Sequence, residues 1–491
     1  MLIFHFVIHK NKTILYNKMS RLNRRGYSIV KTKYSDDKLD EIREKLTVKP
    51  FIVDDFGNGK NKSFKLYLES ENKLYVPRFY GIDVFGEPQR NKLIDGDMIT
   101  VKFKGDLREE QLPVFDIAYK SLMTRGGGII SLKCGGGKTV LALRLLTEIK
   151  QKTIILVHKE FLMTQWLDRI RQFIPKAKIG KIQQKTIETE DCDIVLAMVQ
   201  SVATKDYDTG VFDDFGLCIF DECHHLGAEV FSRCLPKVAS KYMLGLSATP
   251  NRKDGLRCVF EWYIGNIVYK SRDKKPDGLV EVQIVKYFDD NPRYSNIPLT
   301  FKKKPCVPKM ITNVTNHIPR TRIIVDLIER YNKEKRSILI LTDRRDHLAL
   351  IHEMLKLREI DSGFYVGGMS AQQLRDAQEQ NIILGTFCMA SEGMDIPKLN
   401  TIILASPKSD IVQSVGRILR QKKESRTHHP LIIDIDDNFS SFVNQSRKRL
   451  AYYNKCKYTI YITDLNGNTK LYEKQKRKKK IEEVEECLLS D

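Results

Sequence analysis

A chain of 491 residues is longer than one ordinary hydrophobic core supports, so two or three domains are expected. A hydrophobic content of 42% excludes a disordered chain, and no run approaches the roughly 18 apolar residues of a membrane span. The formal net charge of +21 favours polyanionic partners, through release of counterions condensed on a phosphate backbone, but does not by itself separate nucleic acid from an anionic membrane.

Met1–His9 (MLIFHFVIH) lacks the basic start of a signal peptide and reads as a buried strand. His5 and His9 stand four apart without a further ligand, so no metal is expected there, and the same holds for His428 and His429. Residues 1–100 read as a small N-terminal accessory domain, with short strands and turns around Phe64–Leu68 and Tyr75–Gly81. From 101 to 270, short β-branched runs alternate with helical patterns, which predicts a parallel sheet wrapped by helices. The predicted strands are Gly128–Leu132, Thr153–Val157, Asp193–Ala197, Leu217–Phe220 and Tyr242–Leu246; Val140–Ile149 and Phe161–Phe173 carry helical spacing.

Residues 271–319 are rich in Lys and Pro, include Phe301-Lys-Lys-Lys-Pro305, and read as a connection. A second α/β series fills 320–450, with strands Ser337–Leu341, Ile382–Thr386, Thr401–Ala405 and Leu431–Asp434 and a helix over Asp346–Leu357. Residues 451–491 form a C-terminal extension. Its basic run Lys474–Lys480 fits a nucleic-acid patch, a nuclear targeting signal or a solubilising end. Ten cysteines without a CxxC pair fit free thiols in a reducing, intracellular compartment.

The first strand runs into Lys133-Cys134-Gly135-Gly136-Gly137-Lys138-Thr139, and a helical pattern follows at once. Strand, glycine loop and helix are the context of a phosphate-binding loop, in which glycines let backbone N–H groups close on phosphate and the helix N-terminus adds partial positive charge. Lys138 would reach the terminal phosphates, and the Thr139 hydroxyl would ligate Mg2+. Leu132 stands where the commoner form of the loop has glycine. About 80 residues further on, an apolar strand delivers Asp221-Glu222-Cys223-His224 at its C-terminal end, where open α/β sheets bind ligands. Asp221 could hold a hydrated Mg2+, and Glu222 could orient and deprotonate an attacking water.

Together these residues resemble the DExH branch of the superfamily 2 helicases, over about two thirds of the chain, from Leu107 to Asp434. The resemblance implies two tandem RecA-like lobes that use ATP and Mg2+ at their interface and act on nucleic acid. Leu107–Gln111 is similar to the motif that reads adenine through Gln111. Gln165, Gln200 and Ser201 match first-lobe nucleic-acid contacts, and Thr386 is the second-lobe counterpart. His224 together with Ser247 and Thr249 of Ser247-Ala-Thr-Pro250 resembles the machinery that couples hydrolysis to movement. Gly393, Asp395 and Gln413 match nucleotide-facing positions. Arg417 and Arg420 of Gln413-Ser-Val-Gly-Arg-Ile-Leu-Arg420, three apart on a predicted helix, match arginine fingers, for which a permanently charged guanidinium is suited. Ala248–Gly255 followed by Tyr263–Ile267 is similar to the XPB-like and UvsW-like group. That likeness implies 3′ to 5′ action on DNA and a place in transcription or repair, although Lys253 replaces the Glu of the XPB motif. The short N-terminal region and the basic C-terminus are similar to helicases of large DNA viruses. A duplex translocase that does not unwind, and a non-hydrolysing nucleic-acid scaffold, remain alternatives at this point.

Overall fold

The computed structural model describes residues 20–50, 63–133, 135–208, 210–250, 252, 254–271, 279–392, 394, 396–421 and 426–473. Met1–His9, Cys134, Gly393, Asp395, Lys422, Lys423 and Lys474–Lys480 lie outside them. Two compact units emerge: Met1–Asp273 with Leu299–Lys304 and Ser391–Asp395, and Lys274–Pro298 with Pro305–Ala390 and Ile396–Asp491.

The first unit is centred on an eight-stranded sheet in the order Thr186–Ile187, Ile179–Gln183, Ile194–Met198, Thr153–Val157, Leu217–Phe220, Tyr242–Ser247, Gly127–Ser131, Ile267–Lys270. All neighbours are parallel except the first pair. The central strands are buried at every position, as expected when helices cover both faces of a parallel sheet. This is why they stand out in the sequence as unbroken apolar runs.

The N-terminal region is not a separate body. Its five-stranded sheet (Leu68–Glu69, Lys73–Val76, Gly26–Val30, Arg21–Asn23, Arg90–Asn91) shares one continuous apolar core with one face of the large sheet. Tyr80 meets Trp262 edge to face at 5.3 Å, and the Tyr263 hydroxyl donates to the Leu66 carbonyl at 3.0 Å. The stretch after Tyr75, expected as strand and turn, becomes a helix at Arg78–Phe85, because Pro77 fixes the backbone that enters it.

The second unit holds another eight-stranded sheet, ordered Gly363–Tyr365, Ile382–Thr386, Ile338–Thr342, Thr401–Leu404, Leu431–Asp437, Glu281–Tyr287, Thr459–Thr463, Thr469–Leu471. Only the last pair is antiparallel. The sequence boundaries at 271–319 and 451–491 therefore need correction. Glu281–Tyr287, taken as connection, is a strand inside this sheet, and the extension supplies two more. Glu281–Tyr287 reads poorly because it carries Gln283 and Lys286. Gln283 is satisfied by Tyr331 and Thr463, and Lys286 by Asp436, all distant in sequence. Each unit thus has the parallel α/β architecture of a RecA-like lobe. The eight cysteines among the described residues are free thiols, and no described helix is long and apolar enough to cross a membrane.

Candidate nucleotide site

Strand Gly127–Ser131 ends at Leu132, whose side chain is buried in the core. This accounts for the missing glycine, since the position packs rather than turns. The chain then turns through Gly135 and Gly137, at φ +77° and +74°, into the helix Lys138–Ile149. A side chain at Gly137 would be strained, and its Cβ would lie 2.4 Å from Gln111 Nε2. The helix is held by buried Leu141, Leu145 and Leu146, so its N-terminus stays aimed at the loop. A glycine hollow, a twelve-residue helix and a lysine at its first position make a donor set that suits a polyphosphate. Thr139 is the second residue of that helix, half-buried beside Lys138.

Gln111 is the residue expected to read adenine. It is 3% exposed, its Oε1 accepts from the Arg108 N–H at 3.0 Å, and its Nε2 donates to the carbonyls of Gly137 at 3.2 Å and Gly136 at 3.4 Å. In this structure it braces the loop.

Strand Leu217–Phe220 brings the two carboxylates beside the loop. Lys138 Nζ donates to Glu222 Oε1 at 2.5 Å. Asp221 Oδ2 accepts from Trp166 Nε1 at 2.9 Å, and its Oδ1 accepts from the Glu222 N–H at 3.0 Å. Burial, and next the charge of Glu222, push the Asp221 carboxyl upward. Burial alone would raise Glu222 too, but Lys138, His224 and the Ala248 N–H outweigh it and hold that carboxyl low. Glu222 is thus kept as a carboxylate, the form a general base needs. Its backbone is left-handed (φ 46°, ψ 52°), a conformation costing roughly 1 kcal/mol or more for a non-glycine residue and concentrated at functional sites.

Behind Glu222 runs a polar chain. Its Oε2 accepts from the Ala248 N–H at 3.2 Å, and His224 Nδ1 lies 3.4 Å away. The same Nδ1 is 2.9 Å from Ser247 Oγ, which accepts from the Thr249 N–H at 3.1 Å. Burial holds the His224 imidazole below the usual histidine range, against the opposing pull of Glu222. Arg252, anchored by Asp254 (Nε to Oδ1, 2.9 Å), donates to the His224 carbonyl. The phosphate loop, Glu222, His224, Ser247 and the Ala248–Thr249 backbone therefore form one connected network.

Of the expected nucleic-acid residues, Gln165 sits half-buried on the helix Glu160–Phe173. Ser201 is instead 7% exposed, with its hydroxyl accepting from the Gln184 N–H at 3.0 Å. Gln200 donates to the His158 carbonyl at 2.6 Å. Both use their polar atoms to fix local backbone. Trp166 lies in the predicted helix Phe161–Phe173, but its bond to Asp221 is not evident from the sequence. A nearly fully buried indole needs a partner for its N–H, and that requirement was the available signal.

In the second unit, Thr386 ends its strand half-exposed, and Gln413 lies in the single turn Val412–Val415. The helix expected to carry both arginines is replaced by a 3-10 turn at Gly416–Leu419, with Arg420 just after it. Arg417 is 5% exposed and its Nε donates to the Ala390 carbonyl at 2.5 Å, whereas Arg420 is only partly buried.

Comparison with known proteins agrees with this geometry. Residues 104–252 match the family described as type III restriction enzyme, res subunit, and residues 320–422 match the helicase conserved C-terminal domain. A protein of Acanthamoeba polyphaga mimivirus named as a candidate ATP-dependent RNA helicase, L396, is 38% identical over 91% of this chain and 88% of its own. The African swine fever virus protein QP509L, named likewise, is 24% identical over 72% of this chain and 75% of its own. Among solved structures, a fragment of a candidate HsdR subunit of a type I restriction enzyme from Vibrio vulnificus aligns with a TM-score of 0.51 at 18% identity. It covers 75% of this chain and 71% of that one, and shares the fold.

Proposed function

Because this chain belongs to the superfamily 2 helicases, as an ATP-dependent helicase related to those of large DNA viruses, we propose that it binds MgATP at the Gly135–Thr139 loop and moves 3′ to 5′ on DNA. The reading rests on one observation above the rest. Hydrogen bonds join Lys138 of the loop to Glu222 and Glu222 to the Ala248 N–H, and His224, 3.4 Å from Glu222, reaches Ser247. A change at the phosphates therefore has a short polar route into the Ser247–Pro250 segment.

In this scheme Lys138 leaves Glu222 for the terminal phosphates, and the released carboxylate orients water and accepts its proton. Thr139 and Asp221 would hold Mg2+, which when bound would neutralise phosphate charge. Trp166 keeps Asp221 aimed. Arg417 and Arg420 are the proposed cationic groups of the second unit, with Arg420 the better placed because the residue is less deeply buried. Gln413, Gly393 and Asp395 are carried over as nucleotide-facing positions from the family pattern, and Gln165 and Thr386 as backbone contacts. Work on DNA in transcription or repair follows the likeness of Ala248–Ile267 to the XPB-like and UvsW-like group. RNA is the second reading, favoured by the names of the mimivirus and swine fever virus relatives.

The test is ATP turnover by the full chain with single-stranded DNA, duplex DNA, forked DNA, single-stranded RNA and an RNA–DNA hybrid. Stimulation is expected to be largest with forked or tailed DNA, and Lys138→Ala should lower turnover on the order of a thousandfold. Stimulation by RNA alone would transfer the assignment to RNA. Turnover near the parent's in a folded Lys138→Ala protein would remove the phosphate-site assignment.

A further inference from the structure

The turn between Pro298 and Cys306 carries chemistry that the nucleotide site does not use. The Thr300 N–H donates to the Lys304 carbonyl at 2.7 Å, and the Cys306 N–H to the Pro298 carbonyl at 2.7 Å, so its two arms are tied together. The Lys303 N–H closes on the Thr300 carbonyl at 2.9 Å, with Lys303 at φ 56°. The Thr300 hydroxyl adds a bond from the Lys304 N–H at 3.3 Å. This geometry sets Phe301 and Lys302 at the two central positions of a tight turn.

Phe301 has 105% of the reference exposure, more than any other large apolar side chain among the described residues. Leu299, on the arm leading to it, is 57% exposed. Lys302, Lys303 and Lys304 are exposed as well. Scattered exposed apolar residues are ordinary. A phenyl ring at the apex of a bonded turn, flanked by three consecutive lysines, is a different arrangement. Lysine is depleted at the cores of protein–protein interfaces, which weighs against a protein partner. An aromatic face beside point charges is what single-stranded nucleic acid requires, because every base offers a π-face and every linkage a phosphate.

We propose that this turn grips unpaired nucleic acid, with the Phe301 ring stacking on a base and Lys302–Lys304 holding the neighbouring phosphates. The inference rests on the helicase reading and adds a contact outside all the motifs that define it. Stacking of this kind is tolerant of base identity, so the turn contributes hold rather than sequence preference.

The experiment compares the full-length parent with Phe301→Ala, Phe301→Tyr, and the combined Lys302→Gln, Lys303→Gln, Lys304→Gln variant. Truncating an exposed ring removes no packing, so the fold is expected to persist, checked by circular dichroism. Affinity for a single-stranded oligonucleotide should fall about tenfold in Phe301→Ala and return in Phe301→Tyr. Fluorescence quenching of a 2-aminopurine base in that strand should be lost and regained in parallel. ATP turnover at saturating nucleic acid should stay within about twofold, because the ring is no part of the phosphate network. The lysine variant should flatten the salt dependence of binding by about two units in the log–log slope. A parent that binds single strands while Phe301→Ala binds them equally overturns the inference and leaves the helicase reading standing. A parent that binds no nucleic acid overturns both. Unchanged nucleic-acid binding with lost binding to phosphatidylserine vesicles would assign the turn to a membrane surface instead.

Discussion

Glu222→Gln should tighten nucleotide binding while nearly stopping hydrolysis, because one carboxylate serves two purposes. Glu222 Oε1 holds Lys138 Nζ at 2.5 Å, with the two side chains only 12% and 13% exposed. A nucleotide phosphate must therefore take Lys138 from Glu222 before it can use it. Hydrogen bonds to charged groups contribute about 1.5–3 kcal/mol, and neutral ones about 0.5–1.5 kcal/mol. Replacing carboxylate by amide keeps the shape but leaves one acceptor oxygen where Lys138 and the Ala248 N–H now use two, and so weakens the competing hold on Lys138 by about 1 kcal/mol. Nucleotide affinity should then rise about fivefold. The amide cannot accept a proton from water, so single-turnover hydrolysis should fall by about 10²–10⁴. Titration with a fluorescent ATP analogue gives the first quantity, and rapid-quench measurement with excess enzyme gives the second. Weaker binding in the Gln variant would mean that the Lys138–Glu222 pair shapes the loop rather than competing with ligand. Undiminished hydrolysis would take the base assignment away from Glu222.

Three further outcomes are expected. Arg420→Ala should lower turnover by about 10³ or more while changing nucleotide affinity only a few-fold, measured by the same titration and quench; a parallel loss of both would make it a binding residue. Asp437→Asn should destabilise the second unit by about 3–5 kcal/mol in urea titration, because it leaves the fully buried Arg320 guanidinium, now held by both Asp437 oxygens at 2.7 and 2.8 Å, without its counter-charge. His347 is buried between Thr321 and Thr342, and burial, aided by Arg320, pulls it down to about 3. The unfolded chain therefore takes up a proton below about pH 6.5 while the folded one does not, so stability present above pH 6.5 should decline as pH falls, by about 2 kcal/mol at pH 5, and a His347→Gln protein should lose that part of the slope.

What the sequence discloses and what it hides follow from where polar groups find partners. Strands such as Thr153–Val157 and Ile382–Thr386 are visible because both faces are covered and every residue can be apolar. Leu431–Asp437 was cut short at its first carboxylate, since Asp434, Asp436 and Asp437 look like a strand end. They are instead buried, held by Arg449, Lys286 and Arg320. Those partners lie from 15 to 150 residues away, beyond any local pattern. The glycine loop and the Asp221-Glu222 pair, which the fold places side by side, were legible because their pattern is local: glycines before a helix, carboxylates after an apolar strand. Trp166 was not, because its relation to Asp221 exists only once helix and sheet are packed. Ser201 and Gln200, expected at the nucleic acid, each spend a polar atom on local backbone. A motif places a side chain in a region, and the fold decides whether it faces outward.

The N-terminal region gains a physical role from the same reasoning. A phosphate loop works only if its N–H groups stay aimed while ligands come and go, so the strand that leads into it must not slide. Gln111 restrains the loop end of that strand through the Gly136 and Gly137 carbonyls. At the other end, Arg78 of the N-terminal helix inserts its guanidinium among backbone carbonyls, reaching Arg125 at 3.1 Å, Gly126 at 3.3 Å and Lys241 at 2.8 Å. Burial draws its pKa down to about 10, still far above neutrality, so the charge persists and each bond is charge-assisted. Phe79 from the same helix lies against Gly127, where a Cβ would come within 2.5 Å of its ring. One helix thus grips the turn before Gly127–Ser131 and the start of the neighbouring strand Tyr242–Ser247, the two elements whose far ends carry the phosphate loop and Ser247. The accessory sheet is therefore built into the first unit as the rear anchor of the proposed nucleotide site, which is why its core and the core of the large sheet are one.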